Sequence, residues 1–197
     1  MVQYSTKTKK KHDLVRADIL RAAEAVFRQW GITKTTIEDI ARRAGKGKST
    51  LYFYFKSKAD VLDAMAVAQL ERILDLARAE IAGKKTAKEQ LVAYIGTMFR
   101  EIQKTIAPLH IERDMATIQG IIDRIVRNFD LTNEKSIEAC LRFGFKRGEF
   151  RSISPREIKE TARAIAVVIR SLAFNLFVNN PDKRQVDLVI RLLSEGF

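Results

Sequence analysis

Little in this chain of 197 residues favours anything but helix. A single cysteine, Cys140, excludes an internal disulfide and the stapled scaffold that depends on one. Three prolines and nine glycines leave long uninterrupted stretches, and short alternating runs bounded by Gly or Asn-Gly turns, the mark of strands, are almost absent. Histidine is equally scarce. His12 stands in a lysine-rich start and His110 near Glu112 and Asp114, and neither has a second histidine or a cysteine at metal-ligand spacing. The residues therefore offer no metal site, no cofactor and no catalytic set, and Cys140 beside Leu141 reads as a small buried hydrophobe. An enzyme is not expected. Nor is a membrane partner: the polar, basic N-terminus has no apolar stretch behind it, and the most apolar run, 164–178, is broken by Arg170 and shorter than the roughly 20 residues of a spanning helix. A cytoplasmic location is the expectation.

What is abundant is positive charge, at a formal +12, and it is unevenly spread. Residues 1–60 hold 14 Lys+Arg against 6 Asp+Glu, whereas residues 61–197 hold 22 against 18. A polyanionic partner for the first third follows, with nucleic acid ahead of a membrane surface.

Helix signals are legible between these charges. Thr35 with Glu38, Ser57 with Asp60, Thr86 with Glu89 and Ser154 with Glu157 each place a hydroxyl three residues before an acid, the reciprocal cap of a helix start. Ile19, Leu20, Ala23, Val26, Phe27 and Trp30 form a stripe ended by Gly31; Ile37, Ile40, Ala41 and Ala44 form a second ended by Gly45; Leu51, Tyr52 and Phe55 form a third. Three short helices over 14–55 precede longer ones at about 58–82, 87–105, 109–147 with breaks, 155–178 and 183–195. The organisation expected is all-α: a flexible basic arm over 1–12, a helix-turn-helix domain over 13–60 and a larger helical domain over 61–197.

Gly47-Lys48-Ser49 has the closing triplet of a phosphate-gripping P-loop. The glycine that such a loop needs five positions earlier is Arg42, and the approach, Ile37 to Ala44, is helical rather than a buried strand. Two short helices joined by a tight glycine-containing turn instead make a helix-turn-helix, whose second helix enters a major groove. The N-terminal end of that helix, Lys46-Gly47-Lys48-Ser49-Thr50, carries cations and hydroxyls for phosphates or base edges. Tyr52 and Tyr54 add phenolic hydroxyls and apolar faces, while Leu51 and Phe55 belong to the core.

Ile19 to Phe27, Gly31, Thr35-Thr36-Ile37, Ile40 to Gly45 and Leu51-Tyr52-Phe53-Tyr54-Phe55-Lys56-Ser57-Lys58 together resemble the N-terminal domain of TetR-family transcriptional regulators, over about residues 14–65 and without a gap. The resemblance implies that Thr36 meets a phosphate at the start of the second helix. It further implies that Lys46, Lys48, Ser49 and Thr50 face the groove, that Tyr52 and Tyr54 touch backbone, and that Lys58 holds a phosphate. The arm from Lys7 to Lys11 either reaches along an adjacent groove or is a solvated tail. The chain departs from the family pattern in the turn, where Gly47 replaces the usual capping hydroxyl; glycine is itself an acceptable N-cap.

For the rest of the chain the resemblance implies a ligand-binding and dimerisation domain. The all-round apolar segment 155–178 and the stripe after it resemble the family's four-helix dimer interface, with Ile165, Ile169, Leu172, Val186, Val189, Ile190 and Leu193 as interface residues. Tyr94, Met98, Phe99, Met115, Phe143 and Phe174, with Gln119 and Asn175 as polar anchors, would line a cavity for a small apolar or amphipathic effector. The function expected is a ligand-responsive transcriptional regulator, a repressor acting as a homodimer on a palindromic operator in double-stranded DNA. The alternative is a helical small-molecule-binding protein without specific DNA binding.

Overall fold

Helices account for all the regular structure among the described residues, which in this computed structural model are 2–106, 109, 132–150, 154–174, 184, 188 and 191. Helix α1 spans Val2–Trp30, α2 Ile37–Arg43, α3 Lys48–Tyr54, α4 Lys58–Ile81 and α5 Ala87–Ile106. A sixth, α6, runs through residues 132–146, and α7 spans Ile158–Phe174. Among these residues, those up to Ala68 form one compact unit with Leu109, and those from Gln69 to 106 form another with α6 and α7.

In the first unit α1 packs on α2 and α2 on α3. No glycine or proline interrupts residues 1–30, so α1 runs through the stretch the sequence marks as an arm, and lysines, good helix formers, do not stop it. Its face of Ile19, Leu20, Ala22, Ala23, Val26 and Phe27 is buried, whereas Trp30, the expected end of that stripe, is largely exposed. Gly31, at φ 81°, ends the helix with its N–H on the Phe27 carbonyl at 2.8 Å.

The start of α2 is capped one residue later than the sequence pattern indicates. Thr36, not Thr35, is the N-cap: its hydroxyl accepts from the Asp39 N–H at 3.2 Å, and the Asp39 carboxylate accepts from the Thr36 N–H at 3.0 Å. Thr35 is buried instead and donates its hydroxyl to the Gly31 carbonyl at 2.7 Å. Both registers offer a threonine and an acid three apart, and burial of the first threonine decides between them. The pattern at Ser57 and Asp60 does cap α4, with the Asp60 N–H on the Ser57 hydroxyl at 3.1 Å.

The second unit is built on a core of Ile73, Leu74, Ala77, Tyr94, Ile95, Met98, Phe99, Ile102, Ile137, Leu141, Ile158, Ala162, Ala166 and Ile169 from α4, α5, α6 and α7. Its tightest approach is at Gly144, where a Cβ would press into the Phe150 ring and the Ala87 methyl. The turn after α6, reversed at Gly148 with φ 71°, brings Glu149 to the first N–H of α5, at Ala87, 2.6 Å away. Thr86 and Glu89 close the rest of that helix start, with the Glu89 carboxylate accepting from the N–H groups of Lys85 and Thr86. Ser154 and Glu157 form the corresponding cap ahead of α7.

Candidate nucleic-acid interface and effector core

The turn between α2 and α3 is fixed by backbone alone. Ala44 closes α2, Gly45 takes the left-handed conformation at φ 63°, its N–H reaches the Arg42 carbonyl at 3.1 Å, and the Lys46 N–H reaches that of Ala41 at 3.0 Å. These two bonds are the Schellman motif, and glycine enters it without the steric cost a Cβ brings. Gly47 then caps α3 with extended backbone and no side-chain bond. Leu51 and Phe55 face inward and are buried. That orientation leaves Lys48, Ser49 and Tyr52 exposed on the opposite side, with Lys46, Thr50 and Tyr54 half-buried. Phe53, 75 % exposed and pointing outward, was not among the residues expected to meet DNA; its apolar character had masked a surface position two residues from Leu51 and two from Phe55.

Lys48 is not a bare cation. Glu38 of α2, left free by the shifted cap, forms an ion pair with it, and the ammonium also lies 5.8 Å from the centre of the Tyr52 ring. The shared hydrogen bond holds the Glu38 carboxyl below its ordinary value and the Lys48 ammonium above its own. The pair therefore orients Lys48 across the helix-turn-helix and sets a carboxylate next to any anion that Lys48 would meet.

Thr36 is exposed, but its hydroxyl is engaged with Asp39, donating to the carboxylate at 2.6 Å. Lys58 needs a larger correction. Its ammonium donates to the carbonyls of Ile32 at 2.8 Å, Thr33 at 3.1 Å and Thr35 at 2.8 Å. An ammonium has three donors, so all are used. The residue expected to hold a phosphate is, in this structure, a strut from α4 to the α1–α2 connection.

In the second unit Tyr94, Met98 and Phe99 are fully buried, and Phe143 sits half-buried under the Arg147 guanidinium, 5.4 Å from its ring centre. Met115, Gln119 and Asn175, and the side chain of Phe174, lie outside the described residues. Burial pushes the Tyr94 phenol up to about 12 and the Cys140 thiol up to about 11, with the nearby Ser136 opposing the first shift. Yet no hydrogen bond completes the Tyr94 hydroxyl, and the Ser136 hydroxyl instead donates to the Thr132 carbonyl at 3.3 Å. Asn133, on the buried side of α6, has neither its amide nitrogen nor its oxygen satisfied. Sequence reasoning missed Asn133, because nothing in its neighbours marks it as buried.

Of the expected interface residues of α7, one is claimed by the chain's own core and two stay half-buried. Ile169 is 3 % exposed and belongs to the core of its own chain, against which Ile165 and Leu172 also pack. The large apolar side chains that α7 leaves exposed, among those described, are Val167 and Val168, on the other face. A helix read as apolar all round thus divides into an inward face and an outward one. Val186, Val189, Ile190 and Leu193 lie outside the described residues, while helical Leu188 is exposed. No helix among the described residues is long and apolar enough to cross a membrane.

A tri-helical unit whose last two helices are joined by a glycine turn, the third carrying cations and hydroxyls outward, has the architecture of a helix-turn-helix domain. Residues 19–65 match the family described as bacterial regulatory proteins, tetR family. An HTH-type transcriptional regulator of Bacillus subtilis (strain 168), YfiR, is 27% identical over 156 residues, covering 75% of this chain and 74% of that protein. The HTH-type transcriptional repressor KstR2 of Rhodococcus jostii (strain RHA1) is 27% identical over 139 residues, or 70% of this chain and 68% of that one. The fold is shared with the crystal structure of the transcriptional regulator FadR from Bacillus subtilis in complex with stearoyl-CoA, at a TM-score of 0.65 and 21% identity, covering 92% of this chain and 98% of that one. The chain is thus similar to TetR-family transcriptional regulators, in sequence over its residues 19–65 and in fold over most of its length.

Proposed function

We propose that this regulator is a cytoplasmic repressor that binds a palindromic operator as a homodimer and leaves it when a small apolar or amphipathic effector enters the second unit. The observation that carries the reading is the outward face of α3, where Lys48, Ser49, Tyr52 and Phe53 stand exposed on a helix anchored from behind by Leu51 and Phe55. Lys46, Thr50 and Tyr54 flank that face, and Gly47 lets the chain approach the duplex closely at the helix start. Thr36 contributes through the N-terminal end of α2.

Dimerisation is supported by Val167 and Val168 of α7 and by Leu188, apolar side chains left open to solvent in the single chain. Two recognition helices related by a two-fold axis match half-sites about 34 to 36 Å apart. The effector reading is supported by Tyr94 and Asn133, whose buried polar atoms lack a partner at a cost of roughly 1–3 kcal/mol each. A molecule that is mostly apolar with one hydrogen-bonding group offsets that cost, and it represses DNA binding only by preferring the conformation in which the half-site spacing is lost.

Selection from a pool of random duplexes at moderate salt tests the reading. Enrichment of a palindrome bound by two chains is expected. Recovery of no sequence would leave the chain as a helical small-molecule-binding protein.

A further inference from the structure

The segment from Thr36 to Lys58, which holds α2, the turn and α3, has six Lys+Arg and two acids, Glu38 and Asp39. The two acids have separate duties. Asp39 is half-buried and closes the cap on Thr36, whereas Glu38 is exposed and reaches across to Lys48 at the start of α3. A carboxylate in the first turn suits the dipole of α2, but Asp39 already serves that end. On a surface that meets DNA, an exposed carboxylate also repels phosphates. Helix formation therefore leaves the pairing of Glu38 with Lys48 unexplained.

What the pair changes is the kind of acceptor Lys48 can use. A lone ammonium is a point charge and binds a phosphate wherever the backbone runs. Paired with Glu38 it belongs to a unit of no net charge, in which a phosphate attracted to the nitrogen is repelled by the oxygen beside it. The shared hydrogen bond holds the Glu38 carboxyl below its ordinary value, so that oxygen is charged at neutral pH. An ammonium has three donors, and Glu38 takes one. Two remain, the number that a guanine edge accepts at O6 and N7 in the major groove. Guanine is neutral and meets no repulsion from Glu38. The Tyr52 ring, its centre 5.8 Å from the same ammonium, bounds the space on the α3 side, so Lys48 is held between two helices rather than swinging free.

We propose that Glu38 determines sequence specificity: by pairing with Lys48 it withholds that lysine from phosphates and leaves it for a guanine edge. This rests on the operator-binding reading above. Lys48 is then the contact with DNA, and Glu38, from α2, is its positioning residue.

The test measures binding of the full chain, over a range of salt, to a duplex that it selects and to a scrambled duplex of equal length and composition. Glu38→Gln keeps the size of the side chain and removes its charge; both partners are exposed, so the core is undisturbed. The freed lysine should take up one phosphate on the scrambled duplex, steepening the fall of log affinity with log salt by about 0.9 unit and raising affinity roughly fivefold. On the selected duplex affinity should change by less than about twofold, because Lys48 is already engaged on a base there. Specificity therefore falls. In a Lys48→Gln chain, adding Glu38→Gln should leave the scrambled-duplex slope where it was, since no ammonium remains to be freed. When the base pairs of the selected duplex are replaced singly, both single variants should relax the preference at the same guanine of each half-site. Equal gains on the two duplexes, a gain in slope that persists without Lys48, or relaxation at different positions would each overturn this inference while the operator reading stands. If wild type binds no duplex better than the scrambled one, the operator reading falls and takes the inference with it.

Discussion

The two units of this chain treat their polar groups in opposite ways. In the first, the carbonyls and hydroxyls around the α1–α2 connection are closed by protein: Thr35 bonds Gly31, Thr36 bonds Asp39, and Lys58 spans three carbonyls. In the second, the hydroxyl of Tyr94 and both amide atoms of Asn133 are buried and left unmet, Tyr94 among the aliphatic side chains of the core. A unit that presents one rigid helix to a partner gains from complete satisfaction, because any slack would blur the position of α3. On the effector reading proposed above, the second unit gains from groups whose bonding remains incomplete until a small molecule arrives.

That contrast can be broken in order of decreasing effect. Gly144→Ala forces a methyl into Phe150 and Ala87, and with no space to take it the second unit should lose about 3 kcal/mol in thermal or urea unfolding. Lys58→Met keeps the aliphatic stem and removes the ammonium from three carbonyls, so the first unit should lose about 2 kcal/mol, with faster hydrogen exchange at the start of α2. Asn133→Leu goes the other way. Removing unsatisfied buried amide atoms should raise stability by about 1 kcal/mol, and a fall of about 2 kcal/mol would mean that the amide is already satisfied.

Acid should affect both units alike. The Thr36 hydroxyl and N–H hold the Asp39 carboxyl low, the Lys85 and Thr86 N–H groups do the same for Glu89, and the Ser154 hydroxyl and N–H for Glu157. Each folded value lies below the unfolded one, so the unfolded chain takes up protons first. The contribution is complete above the ordinary carboxylate range near about pH 4 and is lost as pH falls through it toward the lowered values, a slope measurable by urea melts between about pH 6 and 3. Smallest is Gly47→Ser. The space at that Cβ holds only the Ser49 and Thr50 hydroxyls, 3.8 and 4.0 Å away, so a serine cap fits. A gain of a few tenths of a kcal/mol is expected.

Much of the first unit was legible in its residues. Gly31 and Gly45 end helices where the apolar stripes stop, Leu51 and Phe55 are buried, and Lys48, Ser49 and Tyr52 stand outside. These features are local, set by steric limits on positive φ and by a repeat of three and four. Less of the core of the second unit was legible. Tyr94, Met98 and Phe99 were singled out as apolar bulk and are buried, but Asn133 carries no periodic signal of its own, and its burial comes from α6 packing into the core.

The sequence by itself determined an all-helical chain, the glycine-hinged turn and the excess of cations in its first third, because propensity, backbone sterics and charge act between near neighbours. Tertiary structure decided what those groups do. Thr36 rather than Thr35 caps α2, Glu38 reaches Lys48 and Lys58 is tied to three carbonyls because each choice depends on what a distant segment leaves buried or within hydrogen-bond reach. The same holds for α7, whose composition is apolar on every side; only packing against α5 and the rest of its core selects Ile169 for the inside and leaves Val167 and Val168 out.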